Sequence, residues 1–251
     1  MSDWFTQDGY GVRFGWGPDE ARVLSHPEGA TVIVDVLSFT TAVSVVVDNG
    51  GVVYPYRWRD ETAADYARQL RAELASSRRQ GDDASPWSLS PAALRDAPAV
   101  DRLVLPSPNG ATIAASVDES TVVAACLRNA TATAAWLGAQ GFGTVRRPVA
   151  VIAAGERWPH GGLRPALEDL LGAGAVLSAL AVVPGAHSPE AAATRAVFRA
   201  TTDVADAVRG CGSGVELTDR GFAADVDVAL EVDASTTVPV IVDGGFTTVA
   251  S

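Results

Sequence analysis

The chain has 251 residues, 47% of them hydrophobic and 20% charged, a composition that builds a sizeable core and excludes a disordered chain. Nineteen basic against thirty acidic residues give a net charge of −11, which argues against binding to nucleic acid or to an anionic membrane surface. Every basic residue is arginine, so a Schiff base, a lysine-bearing phosphate loop and an Asp-Lys-Cys triad are excluded.

In chain order, Met1 to Trp16 is polar, acidic and aromatic and lacks the basic-then-apolar pattern of a targeting segment. Val32 to Val36 reads as a short buried strand with Asp35 set into it. A helix is expected from Asp60 to Ser77, with Ala63, Ala67, Leu70 and Leu74 on one face. Arg78 to Ala92 reads as a surface loop. Arg102 to Leu105 is a second strand, closing on Ser107-Pro108-Asn109-Gly110. Thr121 to Cys126 is a third, leading to Arg128 and to Asn129, which is placed to cap a helix from Ala130 to Ala139. Pro148 to Ala154 is a fourth, followed by Gly155-Glu156-Arg157-Trp158.

A helix from Arg164 to Ala181 follows, with Pro165 in its first turn and Gly172 and Gly174 marking close packing. Ser188-Pro189-Glu190 opens another that runs to Gly210. Gly210 to Gly214 reads as a flexible turn, and Val238 to Val242, with Pro239 inside it, as an edge strand. Strands alternating with helices predict an α/β fold with mainly parallel or mixed sheets flanked by helices. Either a boundary near residue 118, which no linker marks, divides it into an N-terminal lobe, 1–118, and a C-terminal lobe, 119–251, or the chain reads as one domain. The longest apolar stretch, Gly172 to Ala186, is shorter than the ~20 residues of a membrane span. Two cysteines and no targeting segment point to a cytoplasmic protein, monomeric or homo-oligomeric.

In such sheets ligands bind beyond the carboxyl ends of the strands, where Asp35, Ser107, Asn109, Arg128, Asn129, Glu156 and Arg157 gather. A buried carboxylate at Asp35 requires compensation. Either the next helix and the hydroxyls of Ser38, Thr40 or Thr41 bond it, or it is a magnesium ligand. Ser107 to Gly110 is an anion-binding corner or an ordinary turn. Arg128 is a two-pronged phosphate clamp or the partner in a surface salt bridge. Cys126 is a thiolate poised at a helix start or a small buried residue. Glu156 offers an oxygen ligand, Arg157 and Arg164 fixed positive charge, and Glu168 and Asp169 either ligands or first-turn acids matched to the helix dipole. His160 lies between them in the loop.

Together, Val34-Asp35-Val36-Leu37, Ser107-Pro108-Asn109-Gly110, Ala125-Cys126-Leu127-Arg128-Asn129-Ala130, and Ala153-Ala154-Gly155-Glu156-Arg157-Trp158 with Leu163-Arg164-Pro165-Ala166-Leu167-Glu168-Asp169 resemble the 2-phosphosulfolactate phosphatase family, the ComB-like proteins. The resemblance extends from Arg13 to about Val242. It implies two α/β lobes with a cleft and a Mg²⁺-dependent phosphatase converting 2-phosphosulfolactate to 3-sulfolactate. On that basis the metal ligands are expected among Asp35, Glu156, Glu168 and Asp169, and catalytic roles at Asp35, Cys126, Arg128 and Glu156. Substrate phosphate is expected at Ser107, Asn109, Gly110, Arg128, Asn129, Arg157 and Arg164. Two stretches depart from the family pattern: Ser38 stands where many members have arginine, and Arg78-Arg79-Gln80-Gly81 with Pro86 to Pro91 replaces a glycine-rich segment. A haloacid-dehalogenase-type phosphatase is excluded because its second aspartate would fall at Leu37. The remaining alternatives are a non-catalytic binder of a small anionic metabolite, and a phosphatase of the same fold acting on a different phosphorylated acid.

Overall fold

The computed structural model describes residues 3–57, 60–76, 85–117 and 119–249. The Arg78–Gly81 segment, Ser77 and residue 118 lie outside them. The first half of the chain runs β1 (Val12–Trp16), α1 (Gly17–Leu24), β2 (Ala30–Val34), α2 (Phe39–Asp48), β3 (Val52–Tyr56), α3 (Glu61–Leu70), β4 (Glu73–Leu74), α4 (Pro91–Asp96), β5 (Arg102–Pro106) and α5 (Gly110–Ala114). The second runs β6 (Thr121–Ala125), α6 (Ala130–Ala139), β7 (Val149–Ala153), β8 (Glu156–Arg157), β9 (Leu163–Arg164), α7 (Leu167–Ala179), α8 (Pro189–Ala200), α9 (Val204–Gly210), α10 (Gly212–Asp219), α11 (Ala223–Ala229), β10 (Pro239–Val242) and β11 (Gly245–Thr248).

Nine strands form one mixed sheet in the order β1-β7-β2-β6-β10-β11-β3-β5-β4. β1, β7, β2 and β6 are parallel, as are β3, β5 and β4. Between these two blocks the β10–β11 hairpin runs antiparallel, touching β6 through Val240 and Val123 and β3 through Phe246 and Val53. The Val238–Val242 segment is therefore an interior strand and not the expected edge. Pro239 is tolerated because it is the strand's first residue, where a missing N–H interrupts no ladder. Strands from before and after residue 118 lie side by side in this sheet, as in β1-β7-β2-β6, so it is continuous across the expected lobe boundary.

Burial on both faces explains the unbroken apolar run of β2. Val32 and Val34 face a core shared with α6, α7 and α8, whereas Ile33 faces one shared with α1 and α2. A Cβ on Gly172 would stand 2.6 Å from Val36 and one on Gly174 2.5 Å from Phe198, so the two glycines let α7 close on β2 and on α8.

Several helices are shorter than the sequence predicts. α3 is capped by Asp60 and ends at Arg71, whose φ of +52° breaks it, and the chain then pairs as β4. α7 begins only at Leu167, because Leu163 and Arg164 pair with Glu156 and Arg157 in a small hairpin. The helix expected from Ser188 to Gly210 is two, α8 and α9, the second restarted by the Asp203 side-chain cap. Among the described residues no helix is long and apolar enough to cross a membrane.

Candidate active site

Asp35 follows the last residue of β2 and is 5% exposed. Its Oδ1 accepts the Phe39 N–H at 3.2 Å and its Oδ2 the Gly110 N–H at 2.8 Å, so one carboxylate ties the start of α2 to the start of α5. Thr40 and Thr41 do not bond this carboxylate; their hydroxyls donate to the backbone carbonyls of Asp35 and Val36. Gly110 has no room for a side chain, since a Cβ would overlap the Phe39 ring and stand 2.9 Å from Asp35 Oδ2.

Asp169, in the first turn of α7, performs a similar task between strands. Its Oδ1 accepts the Val36 N–H at 2.7 Å and its Oδ2 the Gly155 N–H at 2.8 Å, joining the loops that follow β2 and β7. Beside it Glu168, 2% exposed, accepts the Cys211 thiol proton at 3.1 Å. Glu156 is half-buried at the base of the β8–β9 hairpin and accepts Asn109 Nδ2 at 3.1 Å. Arg164 is its cross-strand partner. The Arg164 guanidinium lies 5.8 Å from the Trp158 ring and donates to Ser213 Oγ at 3.5 Å. The Trp158 and His160 rings stack at the exposed tip.

Four carboxylates thus gather with one arginine at the rim. Burial raises the Asp35 pKa to about 7, reinforced by Glu156 and, more weakly, Glu168, while the bonds from Gly110 and Phe39 pull it back. Burial also lifts Asp169 well above the carboxylate range, with Glu168 and Asp35 adding to the rise. Glu156 is raised by burial and by Glu168, against the opposing pull of Asn109 and Arg164. Buried negative charge exceeds positive charge, and every donor is oxygen, the chemistry of a hard divalent cation site. Among the described residues no three His, Cys, Asp or Glu side chains form a ready-made cage.

Other expected site residues lie apart from this cluster. Arg128 is buried, its guanidinium held by Asp48 Oδ2 at 3.1 Å, by Glu231 and by Ser44 Oγ at 3.4 Å. Each of its three nitrogens donates one hydrogen bond within the protein. Asn129 does not cap α6: its Oδ1 accepts the Cys126 N–H and its Nδ2 donates to Ala124 and Thr237 carbonyls, fixing the turn after β6. Cys126 is fully buried, and burial raises its thiol pKa, which disfavours a thiolate. Ser107 is buried and accepts the Asn109 N–H at 3.4 Å, while Arg157 is exposed on the hairpin.

Cys211 and Ser213 are contacts that the sequence reading missed. They lie 43 and 49 positions from the residues they touch, and only the glycines around them signal a close approach. The model of the 2-phosphosulpholactate phosphatase family matches residues 18–244. No curated protein matches the chain. The match takes in the three strand ends that carry Asp35, Asn109 and Glu156, and the chain belongs to the 2-phosphosulpholactate phosphatase family, whose activity is phosphoric monoester hydrolysis.

Proposed function

We propose that the chain is a Mg²⁺-dependent phosphatase of a small phosphorylated acid, with 2-phosphosulfolactate as the leading substrate and 3-sulfolactate and phosphate as products. The observation that carries the reading is the buried cluster of Asp35, Glu156, Glu168 and Asp169, in which the pKa values of Asp35, Glu156 and Asp169 are raised first by burial and then by neighbouring carboxylates. Asp35 and Glu156 would hold the cation, with Glu168 behind them. When bound, it would neutralise phosphoryl oxygens and polarise the ester.

The protein's part is positioning and electrostatics. Arg164, on the rim and bonded only weakly to Ser213, offers its remaining N–H groups to a phosphoryl oxygen or to the substrate's second anionic group. Asn109 fixes Glu156 at the mouth of the site. Water is the nucleophile in this reading, because Cys126 is sealed from solvent as a thiol. Its oxygen bonds to phosphorus as the ester P–O bond breaks. Glu156 takes the proton from water and the departing alkoxide receives one from solvent. Asp169 stays a positioning group, its oxygens committed to the loops that follow β2 and β7.

Phosphate release is measured for purified protein on 2-phosphosulfolactate, phospholactate, phosphoglycerate and p-nitrophenyl phosphate, with Mg²⁺ and with a chelator. Magnesium-dependent release from a phosphorylated acid is expected. Release indifferent to the chelator overturns the metal assignment. No release together with no Mg²⁺-dependent rise in melting temperature favours a non-catalytic anion binder.

A further inference from the structure

The Gly210–Gly214 segment, which reads as a flexible turn, packs against the carboxylate cluster. Cys211 is the N-cap of α10, its Sγ accepting the Gly214 N–H at 3.4 Å while its own proton goes to Glu168 Oε2 at 3.1 Å. Two residues on, Ser213 Oγ accepts Arg164 Nη2 at 3.5 Å. One turn of backbone therefore touches both a buried acid of the site and its rim cation. Gly214 lets this turn close on the end of α9, where a Cβ would run into the Val208 carbonyl oxygen, and one on Gly212 would lie in ordinary contact range of Arg164 Nη1.

The chemistry of the cap suits its neighbour. A thiol is a weak, neutral donor, and the Cys211 thiol is buried against Glu168 Oε2. A neutral donor restrains Glu168 without cancelling the charge that the cluster directs at a cationic ligand. An arginine in the same place would cancel it.

Resting on the phosphatase reading above, we propose that Cys211 and Ser213 are positioning residues of the hydrolysis: Cys211 fixes the Glu168 side chain, and Ser213 aims the Arg164 guanidinium at an anionic group of the substrate. Neither touches the reacting atoms. They act through the two side chains they hold, and because both sit in one turn, a shift of α10 moves the acid and the arginine together.

The test is steady-state phosphate release with Mg²⁺, alongside thermal melting, for the wild type, C211A, C211S and S213A. In C211A, kcat falls about tenfold with KM changed by less than about twofold, the scale of one hydrogen bond to a charged group given by a weak donor. C211S keeps a donor and recovers most of that loss. S213A raises KM about fivefold, more than it lowers kcat, because it loosens a binding group. A C211A enzyme with wild-type kcat, or C211S and C211A equally impaired, overturns the role of the thiol. Unchanged KM in S213A removes Ser213 from the proposal. An active wild type with neutral variants sinks this inference alone, whereas a wild type that releases no phosphate sinks the phosphatase reading and this one with it.

Discussion

Two clusters of buried charge differ in whether their own residues balance them. Around Arg128, a guanidinium meets Asp48 and Glu231, Ser44 accepts from its Nε, and Ser235 donates to Asp48 at 2.6 Å. Glu231 is held below its ordinary pKa by Arg95 first and Arg128 second, the signature of a completed ion pair. At the ends of β2 and β7, Asp35, Glu156 and Asp169 all shift the other way, and only Arg164 stands near. Both regions resist desolvation, but the first answers it with its own residues. In the function proposed above, a ligand from outside completes the charge of the second.

The largest expected effect separates chemistry from folding. Asp35→Asn is expected to lower phosphate release by about 10²–10³-fold while the protein stays folded, as judged by circular dichroism. Wild-type turnover in that variant would remove Asp35 from the site. The mirror-image change is Arg128→Met, expected to destabilise by about 1–3 kcal/mol by stranding Asp48 and Glu231, both of which keep some access to water. Melting reads the loss at about 2–4 °C per kcal/mol in a chain of this size. Retained kcat/KM marks a structural ion pair, and a large rise in KM would return Arg128 to the phosphate.

Gly110→Ala bears on both quantities. The added methyl group must displace Phe39 or Asp35, costing about 1–3 kcal/mol of stability and lowering turnover together. If only stability falls, the Asp35–Gly110 bond is a scaffold and not part of the working site.

The smallest effect concerns protons. The folded-state pKa of Asp35, about 7, exceeds its ordinary 3.8, so the folded protein binds this proton more tightly than the unfolded chain does. The resulting stability is complete below about pH 4 and is lost as pH rises through about 7. The melting temperature without metal should therefore drop between about pH 5 and pH 8, and added Mg²⁺ should flatten that slope. A slope unchanged by Mg²⁺ would break the contrast between the two regions.

Much of this was legible in the chain. The β-branched runs placed β2, β5, β6 and β7 within a residue or two, because strands buried on both faces leave little room for polar residues. Asp35 stood out for the same reason. β1 and the β10–β11 hairpin were harder: glycines and a proline mask short strands, and their neighbours lie far away in sequence. The role of Asp169 was hidden behind a local explanation, since an acid in a first helical turn already satisfies the dipole. The ion pairing of Arg128 is not visible locally, because its partners, Asp48 and Glu231, arrive from 80 and 103 residues away. Local sequence shows that a charge is present. It does not show whether a distant residue has already answered it.

The β10–β11 hairpin has a consequence for how the molecule is made. Residues 239–248 follow every other strand of the sheet in chain order, yet they fill its middle, between a block ending at β6 and one beginning at β3. Until they arrive, two parallel blocks share no hydrogen-bonded strand, and both present open edges to any other chain nearby. Assembly must therefore wait for the C-terminal strands, and damage confined to those ten residues would expose two edges at once.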